Sequence, residues 1–456
     1  MTGYKTIAVV DIGKTNAKLV LIDGGTGGQV AVRSMPNAVR SDGPYPHADV
    51  DSLWRFICDG LAGFAREHGV GAISITTHGA TGALVAGDRL ALPVLDYEHA
   101  GPEQMASAYG EVRPAFSESF SPRLPGGLNL GAQIFWQSRA FADDFATVTA
   151  ILAYPEYWAW RLTGVLASEV TSLGCHTDLW APRRGDFSSM VDRLGWRRLF
   201  PQVRPAASII GPLDADLAKA LGLSPETPVA CGIHDSNASL LPHLDCREAP
   251  FTVISTGTWT ICMTVGGSTE QLDAGLDSLA NVDAFGRPVP TARFMGGREF
   301  ETLLGAAPVP PDPDDIAEVI AKGAMVLPTF AEGVGPFPHG KGRWTDGADA
   351  LTSGQRTAAA SLYLALVTDA ALDLCGQGRE IVVEGPLARN RLYCAALARL
   401  RPVPVRPSGD STGTSLGAAL LLGPIGERAE DLPPISPLDL AGFDAYTATW
   451  RRTARA

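Results

Sequence analysis

The sequence predicts an α/β protein of two domains, from its length and from one pattern that occurs in each half. The chain has 456 residues, which is more than one hydrophobic core usually organises. An apolar run, a short polar turn and a second apolar run predict a β-hairpin at residues 6–22 and another at residues 251–265. A polar stretch at residues 242–250 separates the halves. We therefore expect domains of residues 1–245 and 246–456.

Helices and strands alternate around these hairpins, as an α/β chain requires. Helical periodicity occurs at residues 50–68, 133–145, 155–162, 352–374 and 411–422. Asp49 or Asp51 is suited to cap the first of these helices, and Thr163-Gly164 to end the third. Short β-rich runs lie at residues 72–76 and 380–383.

Composition excludes several functional classes. A net charge of −12 would repel nucleic acid and anionic membranes, so neither is an expected partner. The first ten residues reach Asp11 before an apolar run long enough for a secretory signal or membrane span, so we expect a cytoplasmic protein. The 7 cysteines are scattered without a Cys-x-x-Cys pair and are predicted to be buried thiols.

The turn of the first hairpin, residues 11–18, has the composition of a phosphate site. It combines a carboxylate, a glycine, two small polar side chains and two cations: Asp11, Gly13, Thr15, Asn16, Lys14 and Lys18. The glycine lets a phosphate approach the backbone, the polar groups donate hydrogen bonds, and a lysine offsets charge. Asp11 could hold Mg²⁺ through water. The alternative is a hairpin turn with solvated charges.

Gly13-Lys14-Thr15 also resembles the end of a P-loop, but the spacing excludes that motif. A P-loop needs another glycine five positions before the Gly-Lys pair, and Ala8 stands there. The residues that follow are β-like rather than helical.

The turn of the second hairpin, residues 255–259, contains Thr256, Gly257 and Thr258. Backbone N–H groups and hydroxyls around a glycine could cradle a second phosphate. An ordinary turn has the same composition.

Asp235 is the candidate catalytic residue. It follows an apolar strand at residues 228–231 and precedes a helix-like run. Phosphoryl transfer to an alcohol uses a carboxylate that orients the hydroxyl and accepts its proton. The alternative role is that of a helix N-cap.

The order of these segments resembles the FGGY carbohydrate kinases, which belong to the actin-like ATPase superfamily. Residues 157–164 are similar to the family's Tyr-Leu-x-Trp-Arg-Leu-Thr-Gly helix end, and residues 414–419 to its C-terminal helix. The resemblance covers nearly the whole chain. It implies two ribonuclease H-like domains with a catalytic cleft between them, the first binding sugar and the second nucleotide. It also implies ATP and Mg²⁺ as cofactors, with Asp11 and Asp235 at the metal.

The same resemblance extends to the nucleoside and the sugar. Residues 384–390 match the adenosine-binding loop through Gly385 and Asn390, although Glu384 and Pro386 replace two of the glycines common there. On the sugar side, the resemblance implies contacts from a set of five residues: Thr77, His78, Asp96, Tyr97 and Glu98. A structural histidine and a solvated loop are the alternatives for this set.

These observations predict an ATP-dependent kinase of a small sugar, with Asp235 as general base. The resemblance favours a ketose of the L-rhamnulose, L-fuculose, xylulose or ribulose type. The alternative is an actin-like ATPase that acts on a non-sugar or protein client. The sequence does not decide the oligomeric state, and a homodimer is compatible with it.

Overall fold

The protein forms two compact units. The computed structural model describes residues 3–244, 246–305, 308–345, 347, 350–408, 413–426 and 432–455. The N-terminal unit comprises Met1–Cys246, Ala280–Pro288 and Thr412–Arg428, and the C-terminal unit comprises Arg247–Leu279, Val289–Ser411 and Ala429–Ala456.

The N-terminal unit is built on a mixed sheet around the first hairpin, which consists of Thr6–Ile12 and Asn16–Asp23. Gln29–Pro36 extends the hairpin antiparallel, and Ala72–Thr77 lies parallel to its first strand on the other side. All six residues of Ala72–Thr77 are buried, as expected for a strand with neighbours and cover on both sides. Pro228–Ala230 continues the sheet beyond it.

The C-terminal unit repeats this strand order. Its hairpin consists of Phe251–Thr256 and Thr260–Val265. Pro288–Phe294 is antiparallel to the second hairpin strand, and Ile381–Glu384 is parallel to the first, with Val405–Pro407 beyond it. Both predicted hairpins are therefore confirmed, each within its own sheet.

The remaining elements include three further strands of these two sheets, Ile209–Pro212, Ile233–His234 and Ser278–Val282, and elements outside them. The other short strands of the chain are Val39–Arg40, His47–Ala48, Gly82–Ala86, Arg89–Leu90, Ala150–Ala153, Ser168–Glu169, Trp180–Ala181, Asp186–Phe187, Val203–Arg204, Ile209–Pro212, Ile233–His234, Ser278–Val282, Val326–Leu327 and Arg343–Trp344. The helices are Val50–Glu67, Gly101–Met105, Ala106–Val112, Phe116–Ser119, Leu130–Ala140, Ala142–Phe145, Tyr154–Thr163, Val170–Leu173, Ser189–Arg193, Arg197–Leu199, Ala215–Leu221, Asp235–Leu244, Ala274–Leu276, Gly296–Leu304, Pro313–Lys322, Ser353–Cys375, Pro386–Arg389, Arg391–Leu400, Gly413–Leu420 and Phe443–Ala454.

Two predicted helices are confirmed with their end signals. Asp49 caps Val50–Glu67 by accepting a hydrogen bond from Ser52 N at 3.2 Å. Tyr154–Thr163 ends at Gly164, whose φ of 72° is left-handed.

Two other predictions need correction. The helix predicted at residues 133–145 is two helices, because Phe141 leaves helical geometry with φ −131° and ψ 54°. The prediction of buried thiols fails for Cys246, which is exposed, and for Cys58, which is half-buried.

The helix Ser353–Cys375 confirms the prediction at residues 352–374. Thr352 begins it with a capping box to Gln355. The helix is long and apolar enough to cross a membrane, but 83% of its most apolar window is buried inside the protein. Such burial is that of a core helix, which passes the same length and composition test.

Candidate functional site

The first turn is tighter than its sequence predicts. The hairpin strands extend to Ile12 and Asn16, and Gly13 N donates to Asn16 O at 2.9 Å to close the turn. Asn37, which the sequence did not single out, donates from Nδ2 to Gly13 O at 2.8 Å. The side chains of Thr15 and Asn16 remain exposed at the tip.

Asp11 lies within the first strand and not in the turn, opposite Lys18 of the second strand. Ser415 Oγ donates to Asp11 Oδ2 at 3.0 Å. Burial raises the pKa of Asp11 to about 6, with the charge of Asp235 adding to the rise and Ser415 and Lys18 opposing it. Two carboxylates, Asp11 and Asp235, therefore repel each other in this unit.

The parallel strand Ala72–Thr77 delivers the predicted sugar-side histidine beside this turn. His78 N donates to Ile12 O at 2.9 Å, and Thr77 Oγ1 donates to His78 O at 3.0 Å. His78 Nδ1 lies 3.0 Å from Gly79 O. Burial lowers the pKa of His78, so the ring is neutral with its proton on Nδ1. That tautomer leaves Nε2 as an acceptor for a hydroxyl.

The predicted acidic loop contacts the first turn. Lys14 Nζ forms an ion pair with Asp96 Oδ1, lies 3.8 Å from Glu98 Oε2, and stands 4.6 Å from the centre of the Tyr97 ring. Tyr97 in turn packs on His78 with ring centres 5.5 Å apart. Lys14, His78, Asp96 and Tyr97 line one small cavity of about 20 Å³, so candidate phosphate and sugar residues meet in one place.

Asp235 begins the helix Asp235–Leu244 directly after the strand Ile233–His234, which pairs with Ala72–Thr77. This pairing sets His234 against Thr77 and so brings Asp235 to the end of the sheet that carries His78. Asp235 Oδ1 accepts from Ser236 N at 2.6 Å and lies 3.3 Å from His234 Nε2. The Asp235 side chain is 35% exposed, so it is open to a ligand.

A group of buried residues behind Asp235 was not predicted from the sequence to have a role. Cys175 Sγ lies 3.7 Å from His234 Nε2, and Thr171 Oγ1 accepts from His234 N at 3.0 Å. Burial opposes the charged form of His234, but Cys175, Asp235 and Glu169 together raise its pKa to about 9. Its position next to Asp235 in the sequence could have pointed to His234. Nothing in the sequence could have predicted the contact from Cys175, 59 residues away.

In the C-terminal unit, the second turn is fixed to the loop that follows Ile381–Glu384. Thr256 Oγ1 donates to Glu384 O and accepts from Leu387 N at 3.1 Å. Gly385 has a φ of 77°, and a Cβ there would lie 1.9 Å from Thr256 O. Gly257 and Thr258 are exposed. Gly385 thus supports the turn by close packing.

Asn390, unlike Gly385, lines an apolar cavity of about 620 Å³ in this unit. Its Oδ1 accepts from Tyr393 N at 3.0 Å as the cap of Arg391–Leu400, and its Nδ2 donates to Ser361 Oγ at 2.9 Å. The other lining residues are mainly apolar and include Phe300, Pro308, Pro310, Pro311, Ile316, Leu392, Ala395 and Leu438. A cavity of this volume and lining suits a flat organic ring.

Across the described part of the chain, no group of three or more His, Cys, Asp or Glu side chains could hold an ion. Mg²⁺ is commonly held by one or two carboxylates together with water and phosphate, and Asp11 and Asp235 are two carboxylates whose charges interact.

The chain matches two models of one protein family. The N-terminal domain model of the FGGY carbohydrate kinases matches residues 126–242, and the carbohydrate kinase FGGY C-terminal domain model matches residues 248–431. The L-fuculokinase of Salmonella typhi is 26% identical in an alignment over 445 residues, and the match covers 91% of this chain and 91% of that protein.

Solved structures agree with these matches. The crystal structure of a carbohydrate kinase from Novosphingobium aromaticivorans has a TM-score of 0.92 at 39% identity, covering 100% of this chain and 99% of that chain. A xylulose kinase from Lactobacillus acidophilus shares the fold with a TM-score of 0.79 at 15% identity, covering 99% of this chain and 96% of that chain. The duplicated strand order and these relatives agree, and the chain belongs to the FGGY family of carbohydrate kinases, sugar kinases with two actin-like ATPase domains.

Proposed function

We propose that this carbohydrate kinase phosphorylates a ketose, with Asp235 as the general base that accepts the proton of the attacking hydroxyl. The observation that carries the proposal is the position of Asp235. Its carboxylate is partly exposed and is held through Oδ1. Its negative charge also acts on the side chains of His78 and Tyr97. A carboxylate of this kind can orient a hydroxyl and take its proton.

His78 and the acidic loop are proposed to hold the sugar. His78 offers an acceptor at Nε2, and burial raises the pKa of Tyr97 to about 12, so its hydroxyl remains a donor. Asp96 and Glu98 provide acceptors for further hydroxyls, and the Tyr97 ring provides an apolar face. Thr77 contributes by orienting the His78 backbone.

ATP and Mg²⁺ are the proposed cofactors. The large cavity beside Asn390 supports a nucleoside site, and Thr256, Gly257 and Thr258 support a phosphate site in the same unit. When bound, Mg²⁺ would neutralise charge on the phosphates. The Asp11 and Asp235 carboxylates fit such a cation, because their repulsion contributes to the raised pKa of Asp11.

L-Fuculose is the proposed first choice among the ketoses. Similarity to an L-fuculokinase along 91% of both chains supports it. The segment 295–299 packs against the nearby turn, because a Cβ at Gly297 would lie 1.9 Å from Gly257 O. Glu299 of this segment is buried and bonded to Tyr363 OH at 2.6 Å, so its role is structural.

Substitution of Asp235 tests the catalytic proposal. Asp235→Asn should lower kcat by about 10²–10⁴-fold, as loss of a general base does, with ATP affinity little changed. Asp214→Asn is the matched control, because Asp214 caps Ala215–Leu221 by accepting from Leu217 N at 2.9 Å and asparagine caps equally well. Turnover of Asp235→Asn within about tenfold of the parent would exclude the role.

A substrate panel tests the sugar. ADP release is measured with Mg·ATP and L-fuculose, L-rhamnulose, both xyluloses, both ribuloses and glycerol. The highest kcat/KM is expected for L-fuculose. A clear preference for glycerol, or basal ATP hydrolysis with every compound, would contradict the ketose proposal.

A further inference from the structure

A buried histidine contacts the same oxygen of Asp235 that the backbone holds. His234 Nε2 lies 3.3 Å from Asp235 Oδ1, and Ser236 contributes its N–H at 2.6 Å and its hydroxyl at 3.3 Å to that oxygen. Among the hydrogen bonds of the described residues, none falls on Oδ2. The carboxylate is therefore held by these groups through Oδ1, and Oδ2 is left for a ligand.

The His234 ring is held on every polar atom. Nε2 lies 3.7 Å from Cys175 Sγ, Nδ1 lies 3.4 Å from Asn237 Nδ2, and the backbone N–H donates to Thr171 Oγ1 at 3.0 Å. Thr171 is fixed in turn by Glu169, which caps Val170–Leu173. A ring with so many partners has one orientation.

The backbone near the His234 ring has features that leave room for it. A Cβ at Gly79 would lie 2.6 Å from His234 Nε2, so glycine is required for the ring to occupy this place. On the other side, His176 and Asp178 follow Cys175 with φ values of 43° and 65°. Non-glycine residues in this region store strain, which a well-packed functional site can sustain. Asp178 supplies that packing through its ion pair with Arg113 at 2.9 Å.

We propose that His234 is a positioning residue for the kinase reaction, which holds Asp235 Oδ1 so that Oδ2 faces the acceptor hydroxyl, and that Cys175 fixes the His234 ring. The inference rests on the proposed role of Asp235. His234 acts through Asp235 and touches neither the bond that forms nor the bond that breaks. Its loss should therefore lower kcat and leave the KM for ATP unchanged.

Two substitutions at His234 separate positioning from simple packing. His234→Ala should lower kcat with L-fuculose by about 10- to 100-fold, the cost of misplacing a catalytic group. His234→Gln retains a side-chain N–H donor and should recover most of that loss. Cys175→Ala should also lower kcat, but by less than His234→Ala. Cys231→Ala removes another buried thiol of this unit and should leave kcat within about twofold of the parent.

A double-mutant cycle with Asp235→Asn tests whether His234 acts through Asp235. If it does, His234→Ala costs little once Asp235 is Asn. The proposal is overturned if the two losses multiply, if His234→Gln is no better than His234→Ala in samples with matched thermal unfolding, or if His234→Ala retains full kcat. Failure of the proposed function is distinct from these, because Asp235→Asn alone would then keep near-parental turnover.

Discussion

Lys14 of the first turn is ion-paired with Asp96 of the acidic loop, 82 residues further along the chain. The lysine side chain is 21% exposed and that of Asp96 only 9%, so the pair is shielded from water. Shielded pairs differ from surface pairs in that removing one partner leaves a buried charge. Lys14, the candidate to bind phosphate, and Asp96, the candidate to bind sugar, are thus not independent of each other.

Replacing Lys14 should therefore impair sugar use. Lys14→Met removes the partner of the Asp96 carboxylate, and we expect kcat/KM for L-fuculose to fall between about 10- and 100-fold, the range for loss of a charged hydrogen bond. Steady-state kinetics with each substrate varied in turn provide the measurement. Lys322→Met, which breaks an exposed pair with Glu318, is the control and should change nothing. A rise in the KM for ATP alone would assign Lys14 to the phosphates.

Local patterns predicted much of this site, and long-range contacts explain what they missed. The two hairpins, the helix that begins at Asp235 and the strand that ends at Thr77 follow from residues adjacent in sequence. Ser415 reaches Asp11 from 404 positions away, and Cys175 reaches His234 from 59 positions away. Such pairs depend on how the elements pack, which periodicity does not contain.

The burial of Asp11 shows a related limit. Its sequence neighbours predicted a turn residue, because Gly13 and the polar side chains after it resemble a longer turn. The hairpin register instead continues through the pairs Asp11–Lys18 and Ile12–Ala17. Backbone pairing with two neighbouring strands outweighed the polar character of the segment, and this placed a carboxylate inside the sheet.

Close packing of two glycines should be necessary for the second turn. Gly297→Ala would set a Cβ 1.9 Å from Gly257 O, so the turn at residues 256–258 must shift. We expect calorimetry to show ATP binding about tenfold weaker and the free energy of unfolding to fall by about 1–3 kcal/mol. Gly110→Ala, where an added Cβ meets nothing within 4 Å, is the control. Unchanged ATP affinity would separate this turn from the nucleotide.

Filling the apolar cavity should block the nucleoside. Ala395 lines the cavity and is half-buried, so Ala395→Trp places a large ring into the space without opening the core. We expect the KM for ATP to rise at least about tenfold, as loss of a well-fitted pocket implies, while the KM for the sugar stays the same. Ala395→Ser, a small substitution at the same position, is the control. An unchanged KM for ATP in Ala395→Trp would mean that the nucleoside binds elsewhere.

A buried pair of acids should make stability depend on pH. Glu156 is fully buried, and neither of its carboxylate oxygens hydrogen-bonds another described residue. Burial, together with the charge of Glu169, raises its pKa well above the ordinary value. Burial also raises the pKa of Glu169, to about 7, against the hydrogen bonds from Thr171 and Ser172. Both acids are therefore easier to protonate in the folded chain than in the unfolded one.

The sign of the effect follows from that difference. An acid with a raised folded pKa stabilises the fold below its unfolded pKa, 4.5 for glutamate, and this contribution is lost as pH rises toward the folded value. Glu156→Gln is neutral at every pH, so it should raise the free energy of unfolding at neutral pH by on the order of 1–3 kcal/mol. The gain should disappear near pH 4.5. Denaturant unfolding at both pH values measures it, with Glu67→Gln, whose side chain is 54% exposed, as the control. An equal effect at both pH values would mean that Glu156 is not protonated on folding.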